Sequence, residues 1–283
     1  MVANVRVFFW HDRVRSRMRL NFDRYTKLRK STWREFGVGN AGDIFARNLV
    51  SHHYHGSKAL NVTEGPRLLC VGSIAHKLAP GDILCGIGCK DVAFPAVDPE
   101  TVKVQGVRGP ITATALHKAG YDVSQIKWHG DPGLKISQML NPESAKPGRA
   151  IFIPHYRERG MVRKVIPKWI NMVDIDDDPL RIGREIMRAE LVYSSSLHGI
   201  IFAHALGRPV VMVKPATEEP LLKFDDYFFG VGLARPRYLS SITEADIHTK
   251  PNSPASLSVS AEDLIFPTAQ ELESRGIMTT EPE

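Results

Sequence analysis

From Phe36 onward, short apolar runs alternate with stretches of helical period, the pattern of an α/β protein whose parallel strands are joined by helices. In the first half, Val5–Trp10, Arg67–Val71, Asp82–Gly86 and Val102–Val104 are expected as strands, and Asp43–His53 and Pro110–Ala119 as helices. Gly120 then falls where a helix ends on a left-handed residue. Residues 141–149 hold two prolines and a glycine among polar residues, which breaks any regular element. A boundary is therefore expected there, with 1–145 forming one half and 146–283 the other.

The second half reads as a run of βα units. Strands are expected at 150–153, Met172–Ile175, Leu191–Tyr193 and Pro209–Val213, with helices at Pro179–Ala189 and His198–Leu206. Beyond Ser240 the chain is rich in serine and carries Pro251, Pro254 and Pro267, and only Ala269–Arg275 is expected as a helix. Loose packing or a tail is the expectation for that part.

Ser194-Ser195-Ser196-Leu197-His198-Gly199 lies between an expected strand and an apolar helix. In open α/β sheets the carboxyl ends of strands face the ligand crevice, and the amides at a following helix N-terminus attract phosphate or carboxylate. The plain alternative is a serine cap beside a packed histidine. Asn40-Ala41-Gly42-Asp43 lies at a loop-to-helix junction, where Asp43 either caps the helix or faces the crevice as an acid/base. Arg108, between two glycines and just before Pro110, suits an anion contact or a surface ion pair. His155, Arg157 and Arg159 follow a strand at a spacing of two, which would aim them the same way; a solvated basic loop is the alternative. Lys214 ends an apolar strand at the expected crevice edge. The Gly130–Gly133 turn is read as structural, and the acidic run Asp174–Asp178 as a strand end and helix cap in preference to a metal site.

Together these segments resemble the polysaccharide pyruvyltransferase family. The resemblance rests on Ser195-Ser196-Leu197-His198-Gly199-Ile200-Ile201 with Ala203, Ala205-Leu206-Gly207 and Pro209, on Asn40–Asp43, Val107-Arg108-Gly109, Gly130-Asp131-Pro132-Gly133 and Ile153–Tyr156, and on Lys223-Phe224-Asp225-Asp226-Tyr227. It runs from about Asn40 to Tyr227. It implies two Rossmann-like domains facing across a cleft, GT-B-like, with the acceptor side in the first domain and the donor in the second. It also implies phosphoenolpyruvate as donor, a sugar or lipid-linked oligosaccharide as acceptor, a cyclic ketal as product, and neither metal nor cofactor. On this reading His198 is the proton donor or phosphate ligand, Asp43 the acid/base near the acceptor and Arg108 an anion clamp. Asn40, Gly42, His155, Arg157, Arg159, Ser195, Ser196, Gly199 and Lys214 complete the substrate site. The family often has arginine directly before its Leu-His-Gly triplet, where this chain has Ser196, so Arg157, Arg159, Lys214 or Arg108 is left to supply that charge. A nucleotide-sugar transferase and an inactive binding module of a polysaccharide assembly complex are the rival readings.

Composition narrows these expectations. The 283 residues carry 37 Lys+Arg against 31 Asp+Glu, a formal charge of +6, which favours an anionic partner. No apolar run approaches the roughly 20 residues that span a bilayer, and Val2–Trp10 lacks the continuous apolar region of a signal peptide, so a cytoplasmic protein is expected. The basic segment Arg13–Lys30 reads either as a solvated face or as a contact with anionic lipid at the membrane's inner face; nucleic acid is not expected. Cys70, Cys85 and Cys89 lack zinc-site spacing and are expected as buried free thiols. Val71-Gly72-Ser73 and Gly86-Ile87-Gly88 complete no dinucleotide or Walker fingerprint.

Overall fold

The computed structural model describes residues 2–10, 40–90, 93–248 and 253–280; the basic segment Arg13–Lys30 lies outside them. The chain is a mixed α/β structure built on two largely parallel sheets. Strand β1 (Ala3–Val7) opens the first, and after helix α1 (Ala41–His53) the chain adds β2 (Lys58–Asn61), β3 (Leu68–Leu69) and β4 (Ile83–Ile87). It continues with β5 (Lys103–Val107), α2 (Pro110–Lys118) and β6 (Trp128–His129), then a 3-10 turn over Pro132–Gln138. Residues 141–149 carry it into the second sheet. There β7 (Ala150–Ile153), the short α3 (Arg159–Val162), β8 (Ile170–Met172), α4 (Pro179–Met187) and β9 (Leu191–Ser194) lead to α5 (Leu197–Ala205), β10 (Val210–Met212) and α6 (Leu222–Gly230). The second sheet has the order β10-β9-β7-β8, every pairing parallel.

The helices form where the sequence supplies caps. Asn40, not Asp43, is the N-cap of α1, its side-chain oxygen accepting from the Asp43 amide at 3.3 Å. Asp178 caps α4 through the Arg181 amide, with Pro179 in the first turn, and Gly120 closes α2 at φ +89°, a conformation that costs a residue with a Cβ more than it costs glycine.

Helix α5 is buried through most of its length. Its Phe202 meets Phe45 of α1 edge-on, ring centroids 5.3 Å apart. One apolar cluster runs without a break from Val5, Leu68 and Ile83 in the first sheet through Phe45, Ile201 and Phe202 to Ile151, Ile153 and Val192 in the second. The start of α1 is also tied to the second half, with the Ala41 amide donating to the Ile175 carbonyl at 2.8 Å.

The C-terminal part departs from the expected loose tail. Helix α7 (Ala269–Ser274) leads into β11 (Met278–Thr280), which pairs antiparallel with β1 and returns the chain to the first sheet. Gln105 and Trp128 side chains donate to the Ile265 carbonyl at 2.8 and 3.0 Å, and Leu264, Phe266, Leu272 and Ile277 are buried. The few apolar residues between the prolines and serines are those that pack, which average composition conceals. The short edge strands β2, β6 and β11 also escape the hydrophobic pattern. All three cysteines are buried free thiols; burial pushes Cys70 up to about 12, with Asp131 adding to the shift.

Candidate active site

The carboxyl ends of strands from both sheets meet at a polar cleft. Its wall takes Gly72 and Ser73 from beyond β3, Lys90 from beyond β4, Asn40 and Asp43 from the start of α1, and His155 and Tyr156 from beyond β7. Ser196, Leu197 and His198 at the start of α5, with Glu219 and Lys223, close the other side. Ser196 is the N-cap of α5, yet its side chain makes no cap bond. The first turn of a nine-residue helix therefore opens on the cleft without a side-chain oxygen satisfying it, and such an end favours negative charge.

His198 stands in that first turn with its ring laid against α1: a Cβ on Gly42 would lie 1.9 Å from Nδ1. Glycine at position 42 is what lets the imidazole lie flat on the helix backbone. On its other side, Nε2 is 3.8 Å from Oδ1 of the fully buried Asp131. That oxygen accepts the Gly133 amide at 2.8 Å. Burial pushes the Asp131 carboxyl up to about 6 against the pull of Arg108 and the Gly133 amide, with Asp226 adding to the rise. Asp43 lies across the wall near Gly72, whose Cβ position is 3.7 Å from Asp43 Oδ1. Asn40 is the cap and Asp43 lines the cleft.

Several expected site residues hold the cleft from behind without lining it. Ser195 is fully buried, its hydroxyl donating to Glu158 and accepting the His155 amide at 2.9 Å. Glu158 also accepts the amides of His155 and Ala216, so one buried carboxylate pins three segments of the wall. Gly199 serves close packing, since a Cβ there would sit 2.3 Å from Ser194 Oγ. Arg108 corrects the expectation of an anion clamp or surface pair. Its guanidinium is wholly buried, donating to Asp226 at 3.2 Å, the Cys89 carbonyl at 3.1 Å and Ser73 Oγ at 2.7 Å. Asp226 in turn accepts from the Thr112 amide and hydroxyl, so Arg108 reaches the cleft only through Ser73.

The spacing of two does not aim His155, Arg157 and Arg159 alike, because the strand ends at Ile153 and the chain turns. His155 lines the cleft; Arg157 is half-exposed beside it and bonds Glu219 at 2.8 Å. Arg159 starts α3 and pairs with Asp176 and Asp174 away from the lining. Lys214 is exposed and not part of the lining. Conversely, Lys90 and Glu219 line the cleft although the sequence gave them no role, and Lys223, expected at the start of a helix bordering the crevice, lines it as well. Lys223 carried a signal, as the first residue of a segment matching the family. Lys90 and Glu219 sit in irregular connections with no local pattern to mark them. Among the described residues no group of three His, Cys, Asp or Glu side chains is arranged to hold a metal ion, and no helix is long and apolar enough to cross a membrane.

Comparison with known proteins points to a class of transferases: the model of the polysaccharide pyruvyl transferase family matches residues 103–216. That span holds Arg108, the Gly130–Gly133 turn, β7 to β10 and the α5 end with His198. Over these residues the chain is similar to the polysaccharide pyruvyl transferase family. The chain is also similar to an uncharacterized protein of Acanthamoeba polyphaga mimivirus, 29% identical over 218 residues, 70% of this chain and 73% of that protein.

Proposed function

We propose that the cleft moves the pyruvyl group of phosphoenolpyruvate onto two hydroxyls of one sugar in a glycan, forming a cyclic ketal and releasing phosphate. The two sheets act as GT-B-like halves, the donor on the α5 side and the acceptor on the α1 side. The observation that carries this reading is the open first turn of α5, with His198 on it, facing Asp43 across a wall that also presents Lys90 and Lys223. A donor with both phosphate and carboxylate needs more than one positive seat, and the helix end and the lysines provide them.

His198 gives its proton to the methylene carbon of the donor, which becomes the methyl group, while positive charge develops at the neighbouring carbon. One sugar hydroxyl adds to that carbon and loses its proton to Asp43. Phosphate then leaves with its electron pair, and the second hydroxyl adds to the same carbon and gives up its proton. The methyl group gains one proton and the two hydroxyls lose two, so one is left for the departing phosphate and the protons balance. Asp131 holds the imidazole from behind, and the α5 amides and lysines stabilise charge on the leaving phosphate.

The test is incubation of the protein with phosphoenolpyruvate and candidate oligosaccharides, against a panel of nucleotide sugars, with phosphate release and acceptor mass both followed. A mass gain equal to a pyruvyl ketal with stoichiometric phosphate supports the proposal. Turnover of a nucleotide sugar, with none of phosphoenolpyruvate, overturns it.

A further inference from the structure

One carboxylate in the cleft is surrounded by cations in a way that the transfer reaction does not use. Glu219 has a nearly buried side chain. Its Oε1 accepts from Arg157 at 2.8 Å and lies 3.7 Å from His155 Nε2, and its Oε2 accepts from the Lys223 ammonium at 3.0 Å. Glu219, Lys223 and His155 all line the cleft. An arginine, a lysine and an imidazole divided between two oxygens is a set of groups that a carboxylate or a phosphate ligand would need.

The chain around Glu219 differs from the rest of the wall. Residues 214–220 form neither helix nor strand. They are fixed at one end where Glu158 accepts the Ala216 amide and at the other where α6 begins. Between these points the Glu219 amide bonds only to Thr217, in a local turn. The groups facing it are held differently: Lys223 is part of helix α6, and in the turn after β7 the His155 amide is bound by the buried Glu158 and Ser195. Lys223 and His155, two of the three groups of this seat, are thus fixed by a helix and by buried hydrogen bonds, while the carboxylate that fills it is carried on a connection.

We infer that His155, Arg157 and Lys223 form an anion subsite for the carboxylate or phosphate of the substrate, and that Glu219 occupies it as an internal carboxylate until the ligand displaces it. The inference rests on the reading of this cleft as the seat of an anionic donor. Leaving a buried cation such as Lys223 without a counter-charge is costly. Glu219 removes that cost in the empty cleft, and exchange of one carboxylate for another keeps the number of ion pairs the same. Burial lowers the proton affinity of Lys223 while Glu219 raises it, so the ammonium depends on having an anion beside it. For Glu219, burial raises the carboxyl, but Lys223, His155 and Arg157 outweigh it and the net shift is downward. A tethered carboxylate competes at an effective concentration in the millimolar range, which weakens the apparent affinity for a free anion.

Glu219→Gln keeps the shape and removes the charge. Calorimetry at fixed ionic strength should show this variant binding both inorganic phosphate and phosphoenolpyruvate about tenfold more tightly than the parent, and Glu219→Gln with Lys223→Met should lose that gain. In the parent, phosphoenolpyruvate should speed amide hydrogen exchange at residues 217–219, a measurement that stands even if the variant folds poorly. Equal or weaker binding by Glu219→Gln, or slower exchange at 217–219 on adding ligand, overturns the inference. The two readings fail separately. A parent that never turns over phosphoenolpyruvate refutes the proposed reaction, while tighter phosphate binding by Glu219→Gln still upholds the subsite. Unchanged binding refutes the subsite even where turnover is found.

Discussion

His198 and Asp131 face each other at 3.8 Å in the middle of the molecule, an imidazole at the cleft wall backed by a carboxyl with no exposed surface. The fold holds that carboxyl at a cost. Its folded value of about 6 lies above the ordinary 3.8, so the native state binds a proton more tightly than the unfolded chain does. The stability this group contributes is complete below about pH 4 and is lost as pH rises through about 6, a difference of about 3 kcal/mol. Asp131→Asn is neutral at every pH and can still accept the Gly133 amide. It should be more stable than the parent at pH 8 and close to it at pH 4, while turnover falls because the imidazole has lost its charged partner. Denaturant unfolding of both proteins across this range is the check, and a stability difference that does not vary with pH would show that Asp131 is not the titrating group.

His198→Ala should lower turnover by about a hundredfold, the usual loss when a general acid is removed, with little change in melting temperature because the ring sits at the wall of a cleft. Gly42→Ala provides the complementary perturbation. Its new methyl would occupy the space of the imidazole ring, 1.9 Å from Nδ1, so the ring must turn away and turnover should fall by a similar factor while His198 itself is kept. Steady-state rates beside thermal melts decide it, and wild-type turnover in His198→Ala would remove the proposed proton donor.

Arg108→Ala should act on stability first. The residue and its partner Asp226 are both fully buried, and removing one member of such a pair leaves a charge with no counterpart, at a cost of about 3–5 kcal/mol. Urea unfolding should show this loss directly, and Arg108→Lys should recover only part of it, since an ammonium cannot reach Asp226, Ser73 and the Cys89 carbonyl together. An Arg108→Ala protein as stable as the parent, with weakened phosphoenolpyruvate binding, would return the residue to the anion-clamp role.

The Arg108 case shows where the sequence stopped being informative. Regular elements with a strong period, such as α1, α2, β7 and α5, were legible to within a few residues because apolar spacing and caps are local properties. The helix-end position of His198 was legible for the same reason. A partner 118 residues away was not: nothing around Arg108 reveals that Asp226 waits for it. The same holds for Ser195, whose hydroxyl is committed to Glu158, and for Arg159, drawn off by Asp174 and Asp176. The return of β11 to β1 was hidden because three residues of an edge strand are too few to show a period. Charged residues near strand ends look alike in sequence, and only the fold sorts those on the cleft from those that brace it.

Ser196 is where this chain has serine in place of the arginine often found in the polysaccharide pyruvyl transferase family that it resembles, and the geometry admits that arginine at small structural cost. The side chain lines the cleft, is nearly buried and makes no cap bond to α5, so Ser196→Arg forfeits no such hydrogen bond. A cation at a helix N-terminus is unfavourable by about 0.3–1 kcal/mol. Against this, a guanidinium reaching the donor forms a charge-assisted bond worth about 1.5–3 kcal/mol. The second effect is the larger once ligand is present. Ser196→Arg should therefore melt a few degrees lower than the parent when empty, yet bind phosphoenolpyruvate about tenfold more tightly, with affinity falling more steeply as salt is added. Calorimetry at two salt concentrations provides the comparison. Affinity equal to the parent's at both would mean that the anion does not sit at the α5 end, and the donor's place in this cleft would have to be sought at Lys90 and Lys223 alone.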